Sequence, residues 1–230
     1  MLKFQYTNLD TCHAATGVVI VIDVIRAFSN AAYAFARGAR EIFPVSTVEE
    51  ALKLKAAIPN SLACGEVGGL PPEGFDFGNS PTQTNTLDLR GRTVIQRTSA
   101  GTQGIVRSVN AGTMLTASLV IANATVTHIR NLGTDEVTFV ITGQVGDGRG
   151  DEDLACAEHF EALLTGGRLD PTPFIERVYK SYDARLHLDP NFPNFPESDL
   201  DLCTRIDAFD FAMPVTRENG QHVMRAVKPT

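Results

Sequence analysis

Apolar and polar residues follow one another along this chain in two alternating rhythms. Residues 17–24, GVVIVIDV, form an almost unbroken β-branched run, which suits a strand buried on both faces. The segment RAFSNAAYAFARG after Asp23 is rich in alanine and aromatic residues and stops at Gly38, which predicts a helix. A short strand follows over 41–45. Ser46-Thr47-Val48-Glu49-Glu50 then supplies an N-cap and first-turn acids for a helix reaching Ala57. The rhythm continues with strands over 61–64, 93–96, 113–117 and 137–142, and helices over 101–109, 119–132 and 151–164.

Such alternation with short connections predicts right-handed crossovers and a mainly parallel sheet with helices on both faces. Near the end, FAMPVTRENGQHVMRAV carries Asn219-Gly220 between two β-prone runs, a hairpin signal that makes the sheet mixed. The expected fold is therefore a three-layer α/β/α sandwich with a C-terminal hairpin, residues 1–230 forming a single domain. Two regions break the pattern. Residues 66–90 form a long polar connection rich in Gly and Pro, of the kind that is often functional. Residues 171–206 read as irregular, acidic in their second half, and suited to cover the sheet edge or act as a lid.

Composition narrows the function. The formal charge is −7 and the isoelectric point near 5.2, against a surface built for a nucleic-acid backbone but compatible with a small anionic substrate held by a few local donors. No apolar run approaches the roughly 20 residues of a membrane span, and the first residues lack a secretory pattern. Cys12, Cys64, Cys156 and Cys203 stand far apart with no CxxC pair, which excludes a zinc ribbon and favours reduced thiols in a cytoplasmic protein. The five histidines show no spaced pair and read as surface or satisfied side chains.

In an open α/β sheet, ligands bind beyond the carboxyl ends of the strands. The residues there are Asp23 and Arg26 after the first strand, and Gly65-Glu66 after the third. Arg97-Thr98-Ser99-Ala100-Gly101-Thr102 follows the fourth, and a loop with Asp147, Arg149, Asp151, Glu152 and Asp153 follows the sixth. Asp23 is either a helix N-cap or a metal ligand or catalytic acid. Arg26 is either a surface arginine or an anion contact. The Arg97–Thr102 segment is the best candidate for a phosphate cradle, through Thr98, Ser99, Gly101 and Thr102 at a helix start with Arg97 beside them; ordinary helix capping is the alternative. It is not a Walker loop. Glu152 and Asp153 read either as dipole-complementing acids or, for Asp153 with Asp23 and Glu66, as hard oxygen ligands suited to Mg²⁺.

These residues also carry a resemblance. VIDVIRAF at 21–28, GEVGGLPPEGFDFGNSPT at 65–82, QRTSAGTQG at 96–104 and GDGRGDED at 146–153 resemble the 2-phosphosulfolactate phosphatase family from about Val18 to Leu164. The resemblance implies an α/β/α fold with a mixed sheet and Mg²⁺-dependent hydrolysis of a phosphate monoester, 2-phosphosulfolactate to sulfolactate and phosphate, in coenzyme M biosynthesis. It implies Asp23, Glu66 and Asp153 at the metal, Arg26, Asn79 and Ser80 facing the substrate, and Thr98 to Thr102 at the phosphate. Ala100 stands where the family pattern has an asparagine, which removes one substrate hydrogen bond. Arg149 joins the substrate-binding candidates from its loop.

The expected chemistry is attack by water on phosphorus, with carboxylates holding the metal and arginines balancing charge. A direct aspartyl nucleophile would call for a second Asp at position 25, where Ile25 stands. The expected partner is a small phosphorylated acid, with homo-oligomer formation left open. Two alternatives are an isochorismatase-like cysteine hydrolase, for which no lysine occurs between Lys55 and Lys180, and a non-catalytic anion-binding regulatory domain.

Overall fold

The computed structural model describes residues 2–143, 149–167 and 170–230. Nine strands form one sheet: β1 (Lys3–Asn8), β2 (Val18–Ile22), β3 (Glu41–Pro44), β4 (Ser61–Gly65), β5 (Thr93–Arg97), β6 (Thr113–Ala117), β7 (Glu136–Ile141), β8 (Met213–Glu218) and β9 (Gln221–Met224). The helices are α1 (Ala27–Ala36), α2 (Val48–Ala57), α3 (Pro81–Thr84), α4 (Gly101–Arg107), α5 (Ala122–Leu132), α6 (Asp151–Leu164), α7 (Thr172–Lys180), α8 (Tyr182–Leu188) and α9 (Glu197–Cys203). This is the expected α/β sandwich with its C-terminal hairpin.

The apolar run at 18–22 behaves as its composition requires. All five residues of β2 are buried. Val19 and Val21 face a core shared with Phe28, Ala31 and Ala32 of α1, while Val18, Ile20 and Ile22 face a second core with α5 and α6. One strand thus anchors helices on both faces of the sheet. Thr47 caps α2 by accepting from the Glu50 N–H at 3.1 Å, as the Ser-Thr-x-Glu-Glu pattern predicts.

The strand order is β1-β7-β2-β6-β8-β9-β3-β5-β4. Two parallel groups, β1-β7-β2-β6 and β3-β5-β4, are joined through the β8–β9 hairpin by three antiparallel steps. The hairpin turn is the expected one, with Asn219 and Gly220 at φ of 51° and 81°. On a flat sheet an odd number of antiparallel steps would send the carboxyl ends of the two groups to opposite edges. Sheets twist by roughly 20–25° per strand, so strands five steps apart, as β2 and β5 are, need not present opposite ends to opposite sides. The contacts show the result: a Cβ built on Gly101, after β5, would lie 2.7 Å from Asp23 Oδ2, after β2.

Two parts of the chain differ from expectation. β1 has no predicted counterpart, because an edge strand with mixed exposure carries little apolar alternation. The segment expected to be irregular contains α7, α8 and α9; its longest stretch without a helix is 189–196, which holds Pro190, Pro193 and Pro196. The expected helix over 119–132 begins with a 3₁₀ turn, Leu119–Ile121, before α5.

Candidate active site

The loops after β2, β4, β5 and β7 meet, beneath residues of α8 and the α8–α9 connection, around a cavity of about 410 Å³. Asp23, Arg26, Glu66, Asn79, Ser99, Arg149 and Asp153, seven of the expected site residues, line it. Asp183, Leu186, His187 and Phe195 close it from the segment read as irregular.

Asp23 has two faces. Its Oδ1 accepts the Ala27 N–H at 2.8 Å, which caps α1, and its Oδ2 lies against Gly101. The helix-capping reading is thus met through Oδ1, while Oδ2 is turned to the Gly101 side. Any side chain at 101 would collide with two neighbours at once: its Cβ would stand 2.7 Å from Asp23 Oδ2 and 2.7 Å from the Ala27 Cβ. Glycine is required there by close approach.

Asp153 joins the β2 and β7 loops. Its Oδ1 accepts from Val24 N at 2.8 Å, and its Oδ2 from Gly143 N at 3.0 Å and Thr142 Oγ1 at 3.3 Å. Glu66 does the same between the β4 and β5 loops. Its Oε1 accepts from Ser99 N at 2.5 Å, and its Oε2 from Gly69 N at 2.7 Å and Ser99 Oγ at 3.1 Å. Part of the expected cradle is thus occupied by the protein's own carboxylate. Thr98 and Thr102 do not line the cavity. They bond reciprocally, Thr102 Oγ1 accepting from Thr98 N at 2.9 Å and Thr98 Oγ1 from Thr102 N at 3.0 Å, the capping alternative.

Arg97 also lies outside the lining. Its guanidinium donates to the carbonyls of Glu66 at 2.7 Å and Ser46 at 3.3 Å, where it braces the loops. Ser80 starts α3 and donates to Asp199 Oδ1 at 2.8 Å. Asn79 is buried with Oδ1 unpartnered. Arg149 stacks over Tyr182, its guanidinium carbon 4.5 Å from the ring centre. Asp147 lies outside the described residues.

Burial and crowding raise the acids together. Desolvation pushes Asp23 up to about 6, with Glu66 and Asp183 adding repulsion. Glu152 rises to about 8, first through burial and then through Asp183. Asp153 is raised well above the carboxylate range by burial and by Glu152 and Asp23. Such stacked carboxylates favour either protons or a cation between them. Glu152, read as a first-turn acid, is 2% exposed and has Oε2 without a hydrogen-bond partner.

Among the described residues, no group of three or more His, Cys, Asp or Glu side chains is arranged to hold a metal ion. Asp23, Glu66 and Asp153 share the cavity, but the last two direct their oxygens at backbone donors. The donor chemistry nevertheless fits a hard cation: every candidate ligand is a carboxylate oxygen, and Glu152 Oε2 is buried without a hydrogen-bond donor.

Sequence reasoning missed Asp183, His187, Phe195 and Asp199. His187 is buried, with Nδ1 2.9 Å from the Pro196 carbonyl, which places the ring proton on Nδ1. Burial holds this imidazole below its ordinary pKa. Asp183 and His187 are four residues apart on α8, the helical spacing that puts both on one face. Cys156 lies beneath the site, wholly buried, and burial pushes its thiol well above the usual range. It is no candidate nucleophile, since the thiolate is the reactive form.

The family described as 2-phosphosulpholactate phosphatase matches residues 5–218. A probable 2-phosphosulfolactate phosphatase of Bacillus subtilis is 34% identical over 206 residues, covering 89% of this chain and 90% of the relative. One from Pseudothermotoga lettingae is 33% identical over 211 residues, covering 88% and 90%. One from Thermoplasma volcanium is 28% identical over 195 residues, covering 85% and 87%. With that match across nearly its whole length, the chain belongs to the 2-phosphosulpholactate phosphatase family.

Proposed function

We propose that this cavity hydrolyses the phosphate monoester of a small hydroxy acid with the help of Mg²⁺, and that 2-phosphosulfolactate, the substrate in its relatives' names, is the natural ester. The observation that carries the reading is the set of buried carboxylates that line one cavity together with Arg26 and Arg149. A polyanionic substrate meets Asp23, Glu66, Glu152, Asp153 and Asp183 here, and a cation among them would offset whatever charge protons do not.

Asp23 through Oδ2 and Glu152 through Oε2 are the groups that would hold the ion, with Asp153 and Glu66 fixing the loops around them. When bound, Mg²⁺ supplies charge neutralisation and polarises a phosphoryl oxygen. Arg149 and Arg26 balance the anionic groups of the ester, and Asn79 Oδ1 accepts a hydrogen from water or from a protonated phosphate oxygen. A water molecule attacks phosphorus opposite the ester oxygen, the ester P–O bond breaks, and the hydroxy acid and phosphate leave.

Four buried, unpaired cysteines, and the absence among the described residues of any helix long and apolar enough to cross a membrane, favour a cytoplasmic enzyme. A place in coenzyme M biosynthesis rests on the substrate alone. Phosphate release is to be measured across phosphorylated hydroxy acids, with Mg²⁺ and with EDTA. Release from 2-phosphosulfolactate that EDTA abolishes and Mg²⁺ restores is expected. Tight binding without release under Mg²⁺ would instead indicate a regulatory anion-binding domain.

A further inference from the structure

Two sets of charges line the cavity. Asp23, Glu152, Asp153 and Asp183 act on one another, and Glu66 acts on Asp23. Arg26 and His187 act on one another, Phe195 lines the same cavity, and Asp199, bonded to Arg26, is 0% exposed. Asp199 Oδ2 accepts from Arg26 Nη1 at 2.8 Å. Its Oδ1 accepts from Ser80 Oγ at 2.8 Å and from Thr82 N at 2.9 Å. A single carboxylate thus ties the β2–α1 loop and the Asn79–Ser80 loop to α9.

Arg26 is held on two further sides. Its Nη2 donates to the Gly69 carbonyl at 3.4 Å, and the guanidinium carbon sits 4.9 Å from the centre of the Phe195 ring. A Cβ on Gly69 would strike that ring, so the glycine admits the roof. The His187–Pro196 hydrogen bond fixes the residue next to Phe195. Buried ion pairs seldom repay their desolvation, so this one adds little net stability while it fixes the direction of the Arg26 guanidinium.

We propose that Asp199 is a positioning residue that aims Arg26 at the acid group of the substrate that is not transferred, so that the cavity selects phosphate esters carrying a second anionic group. This rests on the phosphatase reading above. The carboxylates take the phosphoryl group with its cation, and the remaining acid reaches Arg26, the guanidinium held by Asp199. This remote contact holds the ester equally in the bound complex and during the reaction, so that its loss is read in KM.

The test is steady-state kinetics of Asp199→Asn, Arg26→Gln and the double variant with 2-phosphosulfolactate. Asp199→Asn is expected to raise KM at least tenfold while kcat stays within threefold. The double variant is expected to fall within threefold of Arg26→Gln alone, since both changes remove the same contact. A KM rise below tenfold, a loss confined to kcat, or losses that multiply in the double variant would overturn the assignment. Should Asp199→Asn not fold, Asp199→Glu, which keeps the charge but displaces it by a methylene, is read by the same criteria. A parent enzyme that releases no phosphate refutes the phosphatase reading; an active parent with an unaltered Asp199→Asn refutes only this inference.

Discussion

Glu66→Gln separates two roles that a carboxylate in this cavity could have. As a brace, Glu66 receives the N–H groups of Ser99 and Gly69 and the Ser99 hydroxyl, at 2.5, 2.7 and 3.1 Å. A glutamine keeps the shape but offers one acceptor oxygen, and its NH₂ must face a backbone donor. One buried N–H then loses its acceptor, at about 1–3 kcal/mol, and the surviving bonds lose their charge assistance, about 1 kcal/mol more. The expected loss is about 2–4 kcal/mol, or about 4–15 °C in melting temperature for a chain of this size. A residue whose sole task was to hold a metal would behave oppositely in metal-free protein, because removing its charge relieves the repulsion it exerts on Asp23. Urea and thermal unfolding of the EDTA-treated parent and variant decide between them. A Glu66→Gln protein as stable as the parent, or more so, would refute the brace.

Other consequences can be checked with the same protein. Asp23→Asn should abolish Mg²⁺-dependent turnover, by at least 10³-fold, and near-normal activity would remove Asp23 from the site. Gly101→Ala should cost about 1–3 kcal/mol as an overpacked contact and reduce kcat/KM more than tenfold, because its Cβ would sit 2.7 Å from Asp23 Oδ2; full activity would refute the close approach. In metal-free protein, Asp23 and Glu152 bind protons more tightly folded than unfolded, so their contribution is complete below the ordinary carboxylate range. It is lost as pH rises through about 6 and about 8. Added Mg²⁺ should therefore stabilise more at pH 8 than at pH 5, and equal effects at both would count against a cation among these acids. Iodoacetamide should leave the native enzyme active, since all four cysteines are buried; rapid inactivation prevented by substrate would revive a thiol mechanism.

Much of the fold was legible because burial on both faces leaves a plain record in the sequence. The run at 18–22 could be little else than a central strand, and the limits of β6 and α6 match the expected 113–117 and 151–164. β1 left no such record, having a partner on one side only. The site was legible where strand ends carry polar residues, as at Asp23, Glu66 and Asp153, since topology alone brings those ends together. It was illegible where function depends on contacts across long stretches of chain. Asp199 sits in an acidic, proline-rich run that looks solvated, and only its contacts with Arg26 and Ser80, 173 and 119 residues away, show it to be buried. Glu66 lines the cavity and Thr98 does not; which donors each faces depends on loop geometry that no local pattern specifies.

The antiparallel pair at 213–224 sits in the middle of the sheet, between the two groups of parallel strands. During synthesis neither group can be joined to the other until those residues have emerged, so everything made earlier waits with two unsealed strand edges. Assembly of the catalytic cleft is thus a late and non-local event, of the kind that slows folding and exposes nascent chains to mispairing.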